Sequence, residues 1–208
     1  MKKVCLLVII SGLAIVASGQ TPTPVPVFKT YAEAMAAGKA GFDKNSFTAA
    51  EAAYGQAFDR ASTDDQRFDA LIKRGGAFEK MSRTERTSTG KYKATTKTIF
   101  LFPDAVAAYR KAAELPGISA DKKAEAMMLI GEIYSNSYKS GHLSSPPMLG
   151  KNWKEMGREE FTKVINLSGI SFDIKARALM GRGLAYNTLA SFGTFDTKQV
   201  QASAKDLE

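Results

Sequence analysis

Histidine and cysteine each occur once in this chain, and their positions, with those of the paired carboxylates, decide which chemistries stay open. The single histidine, His142, lies in Ser140-Gly141-His142-Leu143-Ser144-Ser145-Pro146-Pro147, a composition of turn and loop residues. The only cysteine is Cys5. Cys–His chemistry and histidine metal clusters are therefore excluded, and a Ser-His-Asp triad would have to set a loop histidine against a distant serine. His142 reads as an exposed loop residue. Paired carboxylates are the remaining option, because glycan hydrolysis needs only two. Asp64-Asp65 stands where a helix beginning near Gln66 needs N-terminal caps, a role that fits Thr63 or Asp64. Glu159-Glu160 lies beside Arg158 and Lys163, the dress of a solvated helix face. Both pairs read as structural. Gly181-Arg182-Gly183 falls mid-helix and follows no strand, so it is not a nucleotide-binding loop. No catalytic residue, cofactor site or metal site is assigned.

The 208 residues open with Lys2 and Lys3, then an apolar-to-small stretch of 13 residues from Val4 to Val16, then Ala17-Ser18-Gly19 and Gln20. These are the three parts of a secretory signal peptide, expected to span 1–19. The apolar stretch is short of the roughly 20 residues a spanning helix requires. Cys5 does not follow that stretch, so it cannot be a lipidated first residue. The mature chain, from Gln20, would carry no cysteine, and its stability would rest on buried apolar surface without disulfide or zinc-thiolate support. Losing Lys2 and Lys3 lowers Lys plus Arg from 29 to 27 against 21 acids, a net charge of +6. Export makes nucleic acid a poor partner for that charge; acidic protein faces or anionic envelope polymers suit it better. Residues 20–29 hold Thr21-Pro22-Thr23-Pro24-Val25-Pro26, whose alternate prolines impose an extended leader.

From Thr30 to the C-terminus the pattern is helical, alanine-rich and recurrent. Gly38 to Phe42, a polar turn at Asp43-Lys44-Asn45-Ser46, then Phe47, Ala50, Tyr54 and Ala57 form the clearest unit. Small residues at Gly38, Ala50 and Ala57 allow two antiparallel helices to approach closely. A second unit pairs Leu71, Gly75 and Phe78 with Ala105, Tyr109 and Ala112. A third pairs Met127, Gly131 and Tyr134 with Phe161, Val164 and Ile165. Leu179, Gly183 and Tyr186 begin a fourth, with Thr197 to Leu207 as its second helix. Over residues 30–208 the chain resembles the tetratricopeptide repeat family, most closely in the first unit. The expected fold is all-α, a short right-handed solenoid of about four irregular helix hairpins. The anchor glycines Gly38, Gly75, Gly131 and Gly183 are 37, 56 and 52 residues apart, where a regular array repeats about every 34. The surplus reads as two insertions between first and second helices, Ser82 to Leu101 and Asn136 to Asn152.

In that family, first helices build a concave groove that holds a peptide or partner helix. The resemblance implies that the residue three before each anchor glycine faces the groove: Met35, Ile72, Met128 and Met180. The residue just after each glycine would neighbour it: Lys39, Gly76, Glu132 and Leu184. Thioether side chains adapt to varied apolar surfaces, but the same methionines also serve as filler between adjacent helices. The family's Lys/Asn/Arg clamp for a terminal carboxylate is not reproduced. The first insertion adds a basic stretch, Lys80, Arg83, Arg86, Lys91, Lys93 and Lys97 against Glu85 alone, ending in Ile99-Phe100-Leu101-Phe102 before Pro103. It reads either as a polar loop stapled onto a helix that begins at Pro103 or as a basic docking arm with an apolar tip for an anionic or membrane-adjacent partner. The expected function is an exported module, periplasmic or extracellular, that binds a protein or peptide. The alternatives are a structural subunit of an envelope assembly and, more remotely, an enzyme acting on cell-wall glycan.

Overall fold

In the computed structural model, the described residues are 26–88, 96–139 and 153–190, with side chains described for 26–81, 102–136 and 153–185. The expected signal peptide, most of the leader, His142, Lys91, Lys93 and the helix expected over Thr197–Leu207 lie outside them. The described residues are all-helical: α1 (Tyr31–Asp43), α2 (Phe47–Arg60), α3 (Asp64–Ser88), α4 (Thr96–Ala113), α5 (Ala120–Lys139), α6 (Trp153–Ile165) and α7 (Phe172–Ala190). Each helix packs on the next in sequence, and α5 also touches α7. None is long and apolar enough to cross a membrane.

Local chemistry fixes the helix ends. Thr30 caps α1 through a reciprocal box: its hydroxyl accepts the Glu33 N–H at 3.1 Å, and the Glu33 carboxylate accepts the Thr30 N–H at 3.3 Å. The turn into α2 passes through Asn45 at φ 58°, a left-handed position that asparagine tolerates better than most residues. Thr63 caps α3 by accepting the Gln66 N–H, and Ser119 caps α5 by accepting the Lys122 N–H. One device recurs. Asp64, in the first turn of α3, accepts the Gly117 N–H at 2.9 Å, and Asp121, in the first turn of α5, accepts the Ser171 N–H at 2.7 Å. Each carboxylate sits at the positive end of its helix dipole and ties down the turn that follows the next helix.

A second recurrence packs the interior. The ring of Tyr54 on α2 occupies the space where a Cβ on Gly38 of α1 would stand, 2.5 Å from it. Tyr109 on α4 does the same over Gly75 of α3 at 2.4 Å, and Phe161 on α6 lies over Gly131 of α5 at 3.0 Å. All three rings are buried, and the small residues one turn to either side are buried with them: Ala50 and Ala57, Ala105 and Ala112, Gly157 and, slightly larger, Val164. The core thus runs as successive clusters between helices, for example Phe68, Leu71 and Ala112 followed by Ala105, Tyr109, Ile130 and Tyr134.

Several expectations need correction. The leader is not wholly outside the folded part: Gln56 donates to the Pro26 carbonyl at 2.8 Å and accepts the Phe28 N–H at 3.0 Å. The first insertion is largely helix. Helix α3 runs on to Ser88, and α4 begins at Thr96, seven residues before Pro103. Proline lacks one N–H and so removes one intrahelical bond, while Phe102 packs onto the Ala105–Tyr109 cluster. Helix α5 likewise continues past Asn136 to Lys139. A Cβ added at Gly183 would meet nothing within 4 Å; at Gly181, on the opposite side of α7, it would lie 2.6 Å from the Phe161 ring. The face of α7 that packs on α6 is therefore set by Ile174, Ala178, Gly181 and Ala185 rather than by the expected anchor.

Candidate partner-binding concavities

The residues chosen by their offset from the anchor glycines line two concavities. The first holds about 570 Å³ and is lined by Met35 and Lys39 of α1, Ile72 and Gly76 of α3, and Leu129 of α5. Its floor is made by Tyr54 and Tyr109, the rings that sit on Gly38 and Gly75. Because those glycines carry no side chain, the tyrosine rings lie close against the first helices, bordering the face that carries Met35, Lys39, Ile72 and Gly76. Phe42 closes one end and stacks edge-on against Phe47 with ring centres 5.3 Å apart. At the rim, Lys39 pairs with Asp43 at 2.6 Å. The second concavity, about 320 Å³, is lined by Met128 and Glu132 of α5, Phe161 of α6, and Arg177, Met180 and Leu184 of α7. Arg177 lies 4.0 Å from Glu125.

The choice between core methionine and groove methionine resolves residue by residue. Met128 is 3% exposed and belongs to the cluster of Ala124, Phe161 and Val164; it is a floor residue held by the core. Met35 is half-buried, packed against Ala34 and Ala57 on one side and Tyr54 on the other. Met180 and Leu184 are 58% and 62% exposed. They stand four residues apart on α7 and form an apolar wall open to solvent. The tyrosine floor was not read from the sequence as part of the site. Its signal was present, since the residues three before and one after a glycine lie about 60° and 100° from it around the helix, so a ring covering the glycine borders the face they share.

The electrostatics of the site are mild. Burial, and then the neighbouring Asp43 carboxylate, push the Tyr54 hydroxyl above its usual range, so it stays neutral and donates a proton to any acceptor it meets. The Tyr109 hydroxyl donates to Glu79 at 2.7 Å. Neither carboxylate pair singled out in the sequence lines either concavity. Asp64 and Asp65 hold the Gly117 turn, Arg67 and Lys122. Glu160 departs from the expected solvated face: it is 8% exposed and paired with Lys163 at 2.7 Å. Among the described residues no group of three His, Cys, Asp or Glu side chains is placed to hold a metal ion. Of the basic stretch, Arg83 and Arg86 fall in the last turns of α3 and Lys97 in the first turn of α4.

No protein-family model, curated protein or solved structure matches this chain. Functional inference therefore starts from the two concavities and the repeated packing beneath them.

Proposed function

We propose that this chain is an exported binding module that takes a protein or peptide partner along the first-helix side of a short right-handed solenoid of tetratricopeptide type. The observation that carries the reading is positional. Eight residues at two fixed offsets from the anchor glycines all line open concavities, four in each. A partner would bury apolar side chains against Met35, Ile72 and the tyrosine floor, and against Met180 and Leu184. Flexible thioethers accommodate varied shapes at such a surface. The polar groups at hand, Lys39, Glu132, Arg177 and the Tyr54 hydroxyl, would set register rather than supply most of the affinity. The acid–base pair at the first concavity, Lys39 with Asp43, is a solvent-exposed contact within one helix, so binding is proposed in preference to catalysis, and no cofactor is invoked.

Met180→Asp with Leu184→Asp tests this. Both side chains are mostly exposed, so helicity and thermal midpoint should hold within about 0.5 kcal/mol. Partner capture from the native envelope should fall at least tenfold, as expected when apolar anchors are replaced by charge. Undiminished capture of the same partner by the double variant would place the site elsewhere. A second reading, a permanent subunit of an envelope assembly, is favoured by Phe172 and Val27, which stand 84% and 81% exposed. It requires the isolated chain to self-associate, which sedimentation decides.

A further inference from the structure

We infer that α7 carries a self-complementary face through which two copies of this chain pair antiparallel. The face lines neither concavity. It is singled out by the packing rule of the fold. Gly38, Gly75 and Gly131 each lie under an aromatic ring supplied by the next helix, whereas a Cβ added at Gly183 would meet nothing within 4 Å. In the shortest described hairpin the ring, Tyr54, follows its glycine by 16 residues. Gln199 stands 16 residues past Gly183, and no Phe, Tyr or Trp occurs from 196 to 208. At the start of the same helix the reverse holds: Phe172 is 84% exposed. One helix thus carries a socket without a ring and a ring without a socket.

Both lie on one stripe. Phe172 and Gly183 are 11 residues apart, which is about 20° around the helix and about 16 Å along it. Ala176 and Leu179 fall between them, so the four stand at i, i+4, i+7 and i+11, the spacing of a two-helix seam. The stripe points away from Ile174, Ala178, Gly181 and Ala185, the face that packs on α6. A twofold axis between Arg177 and Ala178 sets Phe172 of one copy over Gly183 of the second, and Ala176 over Leu179. Every layer then joins one large side chain to one small one, which lets the helices approach closely. Parallel pairing would instead stack ring on ring and glycine on glycine. The twofold contact is the same on both copies and closes at two.

Area sets its strength. The two Phe172 rings would remove about 300–500 Å² of surface from water. Four layers of a single helix pair stay below the roughly 1,200 Å² at which specific interfaces become stable. The dimer is therefore transient, with a Kd on the order of 100 µM. Lys175 and Arg182 flank the stripe on one edge and come level with each other across the axis, so charge opposes the pairing and apolar burial drives it.

Sedimentation of the full chain from about 10 µM to about 1 mM decides the matter. Mass should rise toward that of a dimer, reverse on dilution, and rise further with salt as the like charges are screened. Phe172→Gly and Gly183→Phe should each weaken pairing about tenfold or more, the first by removing the ring and the second by setting ring against ring. Combined, they exchange ring and socket and should restore pairing to within about threefold of the unaltered chain. The apolar stretch Val4–Val16 is unchanged in every variant, so a loss followed by this recovery reports α7. A chain that stays monomeric, association that either single variant leaves intact, dissociation as salt is raised, or failure of the combined variant to pair would overturn the proposal. Early melting of the Phe172→Gly monomer would overturn it too, by showing that the ring is covered from within its own chain.

Discussion

Gly75→Val should destabilise the fold by about 3–5 kcal/mol, while Gly183→Ala should stabilise it by about 1 kcal/mol. Both positions are mid-helix glycines that the sequence treats as equivalent. At Gly75 a Cβ would lie 2.4 Å from the Tyr109 ring, which is 2% exposed. The ring has to leave its place, overpacking its neighbours at roughly 1–3 kcal/mol. Its hydroxyl would also leave Glu79, 2.7 Å away, and losing a hydrogen bond to a charged group costs about 1.5–3 kcal/mol. At Gly183 nothing stands within 4 Å of the added carbon, so only the helix preference of Ala over Gly remains, worth about 1 kcal/mol. Chemical denaturation of both variants checks the pair. Equal effects of the same sign would mean that the ring-on-glycine contact does not organise the hairpins.

The methionines give the second contrast. Met128→Ser should cost about 3–5 kcal/mol, because it empties a buried site beside Phe161 and Val164 and leaves a hydroxyl there without a matched acceptor. Met180→Ser, at a position 58% exposed, should change stability by less than about 0.5 kcal/mol and act on partner capture alone. Met35→Ser should fall between the two, since Met35 is half-buried against Ala34, Ala57 and Tyr54. Thermal unfolding measured beside capture for the three single variants separates core from surface at each position. Early melting of Met180→Ser would remove α7 from the proposed wall.

How much of this was legible in the sequence differs by kind of feature. Close helix contacts were legible, because a glycine followed by a distant small-aromatic-small trio can be satisfied in few ways; Gly38 with Tyr54 and Gly75 with Tyr109 follow directly. Helix type was legible for the same reason, through spacing of small and aromatic residues and a scarcity of β-branched runs. The insertions were not. Ser82 to Ser88 is polar and rich in Ser, Thr and Arg, which reads as loop, yet it contains neither Gly nor Pro, and a helix already nucleated continues through such residues at little cost. Pro103 was taken as a start because proline is favoured in a first turn, while the apolar residues before it allowed the helix to begin sooner. The register of α7 was also hidden. Gly181 and Gly183 differ by two residues, about 200° around the helix, and only the position of Phe161 selects between them. Glu160 read as solvated because its neighbours are charged; its burial depends on how α6 packs, which composition does not carry.

The central claim is that the partner lies against the first-helix side, within the two concavities. Photocrosslinking in the native envelope tests it most directly, with a photoreactive phenylalanine placed singly at Ala36, at Leu184 and at Lys163. Ala36 and Leu184 each line one concavity, whereas Lys163 lies on the exposed side of α6 away from both. The account predicts adducts to the same partner from Ala36 and Leu184, none from Lys163, and loss of the Ala36 adduct when Met180→Asp and Leu184→Asp are introduced at the other end. Adducts from Lys163 with none from Ala36 or Leu184 would contradict it.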